Sequence, residues 1–307
     1  MKHLPVPVLL FASICAACVQ HPATPPKTAS EPPLLSWSEL AARPLPPAGE
    51  RIAYGPETSQ FGELRLPVEA KGPTPVVVLI HGGCWLADFD YAYMRHLAAA
   101  LSAEGYATWT IEYRRLGEDG GGWPNTFNDV GAAIDQLRGL ATTRALDLGR
   151  VVTLGHSAGG QLALWAASRP RLGLGSPLHA DGAVPIRGVI GLAAITDLAQ
   201  YRNGPADSCH GSVEPLMGGS PQAVPKRYSQ VSPIELLPLQ AEQWLIQGER
   251  DPIVDSASVE RYVKAAQAAG DEARLIRIGS GHFDPVAPEG PSWQAIRQAL
   301  QRMASVR

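Results

Sequence analysis

No stretch of this chain concentrates lysine and arginine. Its 26 basic residues are outnumbered by 29 acidic ones, and the net charge is −3. Nucleic acid would demand a basic stripe to neutralise its phosphates, so it is excluded as a partner. Cysteine is scarce too: four residues, with no C-x-x-C pair and no His/Cys cluster at metal-ligand spacing, so no zinc site, other metal or cofactor is expected. No internal repeat is present, which excludes a solenoid. Nor does the chain have the low hydrophobicity of a disordered one: 45% of its residues are apolar and 18% charged, the balance of a globular protein.

Long apolar runs are also missing. The run Leu4–Ala17 is interrupted by Pro5 and Pro7 and falls short of the roughly 20 residues of a membrane helix. Preceded by Lys2 and His3 and ending in Ala16 and Ala17, it reads as an export signal over residues 1–17. Cleavage there would leave Cys18 first. Small residues before a cysteine resemble a bacterial lipobox, in which that thiol is acylated, although Cys15 stands where an aliphatic residue is usual. An ordinary secretory signal cut at the same bond is the plainer alternative. Either way the expected location is the periplasm or cell envelope, with membrane attachment only through a lipid on Cys18. Eight prolines between His21 and Pro47 then predict an extended tether over residues 18–50. Cys84 and Cys209 remain, and two leftover cysteines of an exported chain are free to form a disulfide.

From residue 51 onward the pattern changes. Arg51–Tyr54 and Phe61–Val68 read as an antiparallel pair of strands. Pro75–Ile80 (PVVVLI), Ala107–Arg114, Arg150–Leu154, Ile186–Ile195, Gln243–Gln247 and Ala273–Ile278 read as further strands. Helical spacing over Tyr91–Gly105, Asn125–Leu140, the stretch to Ser168, Ser256–Ala269 and Trp293–Met303 separates them. Continuous β-branched runs are what strands buried on both faces need. Their alternation with helices predicts an α/β fold with a mostly parallel sheet covered on both faces. Residues 197–228 show no period and are too many for a plain connection, so a lid-like insert is expected there.

The strongest chemical signal is Gly155-His156-Ser157-Ala158-Gly159, lying between a predicted strand and a predicted helix. A nucleophile elbow needs glycines two residues either side of the serine, because any Cβ there would collide across the turn. A serine hydroxyl is a weak nucleophile and needs a base, and the base needs an orienting acid. The order in this fold is Ser, acid, His. Among the histidines after Ser157, His282, just past a strand, is preferred to His210 in the insert. Asp251, after the strand Gln243–Gln247, is the leading acid, with Glu249 and Asp255 as rivals and Asp255 also able to cap the next helix. Backbone N–H groups of Gly83 and Cys84, in His81-Gly82-Gly83-Cys84-Trp85, together with Ala158, are the expected oxyanion donors. His81 itself fits a structural hydrogen-bonder of the loop. Trp85 is a candidate substrate contact. For Trp85, as for Tyr113, Trp123 and Phe283, core packing is an equal explanation.

HGGCW and GHSAGG, with IEYRR, WPNTFNDV, ITDL, VSPIE, IQGERDPIV and GSGHF following in order, resemble the landmarks of α/β-hydrolases related to kynurenine formamidase, carboxylesterases and feruloyl esterase-like domains. The resemblance covers about residues 54–307 and makes 51–307 one hydrolase domain. It implies the eight-stranded α/β-hydrolase sheet, the triad Ser157, Asp251 and His282, and the oxyanion donors Gly83, Cys84 and Ala158. The expected activity is serine hydrolysis of a carboxylic ester in a small-molecule acyl substrate, through an acyl-enzyme. An amidase, arylformamidase or small peptidase using the same triad is the alternative, and a non-catalytic binding domain a remote one.

Overall fold

The computed structural model describes residues 1, 2, 4, 33–69 and 72–305. The export signal, Cys18 and the tether up to residue 32 lie outside the described residues. The chain divides into two units, Met1–Pro33 and Leu34–Arg307, and all that follows concerns the second.

The second unit is built on one eight-stranded sheet: β1 (Glu50–Ala53), β2 (Phe61–Arg65), β3 (Thr74–Ile80), β4 (Ala107–Ile111), β5 (Leu146–His156), β6 (Gly188–Leu192), β7 (Glu242–Gly248) and β8 (Ala273–Ile278). The spatial order is β1-β2-β4-β3-β5-β6-β7-β8. β1 and β2 pair antiparallel, β2 pairs antiparallel with β4, and every later pairing is parallel. This is the mostly parallel eight-stranded sheet expected from the resemblance.

Among the described residues ten α-helices surround it: α1 (Trp37–Ala41), α2 (Arg95–Ala103), α3 (Asn125–Asp135), α4 (Leu137–Ala141), α5 (Ala158–Ser168), α6 (Leu198–Tyr201), α7 (Val213–Met217), α8 (Pro225–Val231), α9 (Ser256–Ala268) and α10 (Trp293–Ala304). Period-two alternation splits β3 between two cores. Val76, Val78 and Ile80 face one core with Val130 of α3, Leu162 of α5 and Tyr262 of α9. Val77 and Leu79 face the other with Leu97 of α2 and Ile296 of α10. Both faces of the sheet are therefore covered, which is why β3 reads as an unbroken apolar run.

Three local expectations are corrected. The tether does not reach residue 50: Ser36 caps α1 in a reciprocal capping box with Glu39, and Leu40, 1% exposed, joins the α2/α10 core. The domain therefore starts by Leu34 rather than at 51. The helix expected over 125–140 is two helices meeting at Gln136. β4 ends at Ile111, and Glu112 just past it buries its carboxylate beside His81. The insert over 197–228 contains α6 and α7 and the start of α8, each four to seven residues long and too short for a helical period to show in sequence.

Candidate active site

The carboxyl ends of β3, β5, β7 and β8 open onto one edge of the sheet, where parallel α/β folds bind ligands. Each delivers one part. β5 runs into Ser157, whose φ of 55° and ψ of −118° lie outside the regions other side chains favour. Such a conformation costs on the order of 1–3 kcal/mol and must be held from outside. The Ser157 N–H donates to the Leu192 carbonyl (2.8 Å), and the Ser157 carbonyl accepts from Gly160 (2.9 Å), Gln161 (3.2 Å) and Ile195 (3.3 Å). A Cβ on Gly155 would lie 2.0 Å from the Gly159 carbonyl oxygen, and one on Gly159 would lie 2.2 Å from that of Ile80, so the flanking glycines are steric necessities.

β7 and β8 bring the acid and the base together. His282 Nδ1 donates to Asp251 Oδ2 at 2.8 Å, and the two side chains are 4% and 0% exposed. Asp251 Oδ1 accepts the backbone N–H groups of Ile253 (2.8 Å) and Val254 (3.0 Å), and Gln247 Nε2 donates to Oδ2 (3.2 Å). Burial alone would raise the Asp251 pKa, but the bonds from His282 and the two backbone N–H groups outweigh it and hold the carboxyl below its ordinary range. Of the rival acids, Glu249 is exposed, and Asp255 caps α9 by accepting from Ala257 and Ser258 (both 3.1 Å). His210 packs on Tyr201 and bonds to that residue's carbonyl, within the insert.

The loop after β3 carries Gly83, Cys84 and Trp85 at φ values of 101°, 57° and 58°. A Cβ on Gly83 would lie 2.2 Å from Phe89 Cβ. Cys84 is joined to Cys209 by a disulfide with Cα atoms 4.9 Å apart. Among the described residues, neither the Gly83 nor the Cys84 N–H has a backbone acceptor, and both residues line a cavity of about 190 Å³ together with Ser157 and His282. Ala158 follows the elbow, fully buried at the start of α5. Ser157 Oγ and His282 Nε2 share this chamber without a direct hydrogen bond, a looseness common before substrate tightens such sites.

Trp85 does not line the chamber. It is fully buried in the α3/α5/α9 core and donates its indole N–H to Gln161 Oε1 at 3.3 Å, so the expectation of a substrate contact is corrected. Burial of so large an apolar ring, with its polar handle satisfied, is worth more in the core than at the rim. Tyr113 is likewise buried, stacked on His81, and Trp123 packs against the same core. Phe283 does line the chamber, opposite aromatic residues that the sequence reading did not consider: Trp37, Phe89 and Tyr93. Two open clefts of about 490 and 870 Å³ adjoin it, bordered by insert residues 197–212.

A hydrogen-bond chain ties the three loops together. The Gly82 N–H donates to Tyr93 Oη (2.7 Å) and Tyr93 O–H donates to His156 Nδ1 (2.9 Å). His156 Nε2–H donates to the His282 carbonyl (3.0 Å). The chain requires a neutral His156. Burial, reinforced by the neighbouring His282, pushes its pKa down to about 3. His81, wholly buried, bonds Glu112 Oε1 and the Gly82 carbonyl, each at 2.7 Å, and braces the same loop. The sequence reading used His156 only as the variable position of the elbow and missed Tyr93 and Gln247. A histidine beside the nucleophile was the one visible signal.

Comparison with known proteins gives the family and the fold. The chain is 25% identical to Esterase LipC of Mycobacterium tuberculosis over 266 residues, 82% of this chain and 64% of LipC. Its fold is shared with a bifunctional GH43-CE of Bacteroides eggerthii (TM-score 0.71, 23% identity, 83% of this chain and 38% of that one). It is shared also with a truncated carbohydrate esterase from gut microbiota (TM-score 0.71, 21% identity, 84% and 96%). The chain thus spans less than two thirds of the length of LipC and of the bifunctional protein. The profile of the BD-FAE family matches residues 63–265, and with the α/β-hydrolase sheet beneath that match, the chain belongs to the BD-FAE family.

Proposed function

We propose that the protein is a serine hydrolase that cleaves carboxylic esters through an acyl-enzyme. The observation that carries this reading is the meeting, in one chamber, of Ser157 in its strained elbow, the His282–Asp251 pair at 2.8 Å, and the unpaired N–H groups of the Gly83–Cys84 loop. LipC, named an esterase, and the carbohydrate esterase that shares the fold support it.

In the first step Ser157 Oγ attacks the ester carbonyl carbon and its proton passes to His282 Nε2. Asp251, accepting from Nδ1, keeps that tautomer and stabilises the imidazolium. The carbonyl oxygen takes up the negative charge and is received by the N–H groups of Gly83, Cys84 and Ala158. Collapse expels the alkoxide, which takes the proton from His282. A water then repeats the sequence on the acyl-Ser157 ester, releasing the acid and restoring the hydroxyl.

Esters are favoured over amides. An amine leaves only if His282 protonates it in a well-placed geometry, and the chamber is lined mainly by apolar rings rather than by a strand edge that would fix a peptide. The test is stoichiometric labelling by a fluorophosphonate together with hydrolysis of p-nitrophenyl acetate. Labelling of the wild type at Ser157, and none in Ser157→Ala, is expected. Hydrolysis surviving in Ser157→Ala would sink the reading. A preference of more than about tenfold in kcat/KM for N-formylkynurenine over the ester, about 1.4 kcal/mol, would replace the esterase with a formamidase.

A further inference from the structure

The N-terminal helix is built into the active site. Ser36 accepts the Glu39 N–H (3.2 Å), and the Glu39 carboxylate accepts the Ser36 N–H (2.8 Å), fixing where α1 begins. Leu40 anchors it in the α2/α10 core. Just before α1, the Leu35 N–H donates to Asp284 Oδ1 (3.3 Å), while Asp284 Oδ2 accepts the N–H of Gly281 (2.9 Å), the residue before His282. Leu34 packs so close to Gly281 that a Cβ there would lie 3.1 Å from Leu34 Cδ1. The segment is therefore held against the loop that carries the base.

Its indole closes the chamber. Trp37 lines the 190 Å³ cavity beside Ser157. Its ring meets Phe89 (5.2 Å between centroids) and Tyr93 (5.5 Å) edge-on and leans on Phe283 (5.8 Å). Phe89 is the ring that abuts Gly83, Tyr93 bonds Gly82, and Phe283 follows His282. Trp37 thus touches the neighbours of both the oxyanion loop and the base. It lies outside the residues that match the family profile, 63–265.

Resting on the esterase reading above, we infer that Trp37 is a specificity-determining residue: its indole forms one wall of the aromatic chamber that receives the acyl chain, and so limits the enzyme to short acyl groups. The neighbouring cleft of about 490 Å³ is bordered by polar insert residues such as Asp197, Gln200 and Asn203, which suits the departing alcohol. The smaller aromatic chamber beside Ser157 suits the apolar acyl tail. Removing the indole opens room for further methylenes, each worth about fourfold when buried, equivalent to about 0.8 kcal/mol.

The experiment uses the full chain carrying Trp37→Ala, Trp37→Leu or Trp37→Phe. Competent sites are counted by fluorophosphonate titration, and kcat/KM is measured for p-nitrophenyl acetate, butyrate and octanoate. The octanoate-to-acetate ratio should rise about tenfold or more in Trp37→Ala and Trp37→Leu, with Trp37→Phe falling back toward wild type. A merely structural tryptophan would lower stability or the number of titratable sites and leave that ratio alone. A ratio within twofold of wild type in both smaller variants overturns the inference, and Trp37→Leu decides if Trp37→Ala yields no titratable sites. A shift seen across alcohol lengths but not acyl lengths overturns it as well. A wild type that labels but hydrolyses none of the three esters fails the esterase reading itself, an outcome separate from the others.

Discussion

At the scale of single residues, the proposed mechanism divides one task among Ser157, His282 and Asp251, and their substitutions should differ accordingly. Ser157→Ala and His282→Ala should each lower kcat by about a thousandfold or more, because either change removes the covalent route. Asp251→Asn keeps the shape but reverses one hydrogen bond to His282 Nδ1 and should cost a comparable or smaller factor with an unchanged melting temperature. His156 has the opposite profile. It touches no reacting atom, yet links Gly82 through Tyr93 to the His282 carbonyl. Its folded pKa, about 3, lies below the ordinary 6.5. The unfolded chain therefore binds a proton at this position that the folded one refuses, and stability is full above pH 6.5 and declines as pH falls toward 3. Urea unfolding between pH 7 and 4 should show that decline, and His156→Gln should flatten it. An identical slope in the variant would remove His156 from the account.

At the scale of elements, the join of β4 to α3 is braced by a bidentate pair. Arg114 donates through Nε and Nη2 to Asp129 (both 2.7 Å), and Gln60 and the Arg114 N–H complete the carboxylate's set at 2.7 and 3.1 Å. Asp129 is 2% exposed on its side chain. Asp129→Ala would strand a half-buried guanidinium and several donors, and should cost about 3 kcal/mol, read as a lowered urea midpoint with the proposed ester hydrolysis unchanged per folded molecule. A loss below about 0.5 kcal/mol would mean water replaces the carboxylate freely. Both partners sit in motifs visible in the sequence, IEYRR and WPNTFNDV. The strands were legible because burial on both faces imposes unbroken apolar runs, and the candidate triad was legible because its members follow strand ends. α1 was not, since Pro-rich surroundings masked the Ser36-x-x-Glu39 capping signature, and neither were the insert helices, which hold less than two turns each. The roles of Tyr93, Gln247 and Trp37 arise only from contacts made across the fold, and Trp85 beside two glycines satisfies a pocket and a core pattern alike until its burial is seen.

At the scale of the whole molecule, the Cys84–Cys209 bridge links residues 125 apart in sequence and fastens the insert to the Gly83–Cys84 loop. Cys84 and Trp85 both hold left-handed backbone angles without the freedom of glycine, at about 1–2 kcal/mol each. Trp85 is held there by burial and Gln161, and Cys84 by its bond to the insert. The bridge therefore acts on two quantities. Closing a loop of that length in the unfolded chain is worth up to about 5 kcal/mol by loop entropy, with about 2–4 kcal/mol typical of measured cases. It also fixes one of the N–H groups assigned to the oxyanion. The double variant Cys84→Ser/Cys209→Ser should therefore unfold at lower urea by an amount equivalent to about 2–4 kcal/mol. Below its own midpoint it should still show a kcat reduced by about tenfold, against the factor of a hundred or more that follows outright loss of an oxyanion donor. Treating the wild type with excess dithiol, which takes up the bridge as its own disulfide and leaves two thiols, should reproduce both changes, and reoxidation should reverse them. If stability falls while kcat per titrated site stays within twofold of wild type, the bridge is a staple for the insert alone, and the Gly83–Cys84 loop is shaped by Phe89, Tyr93 and Trp85 without it.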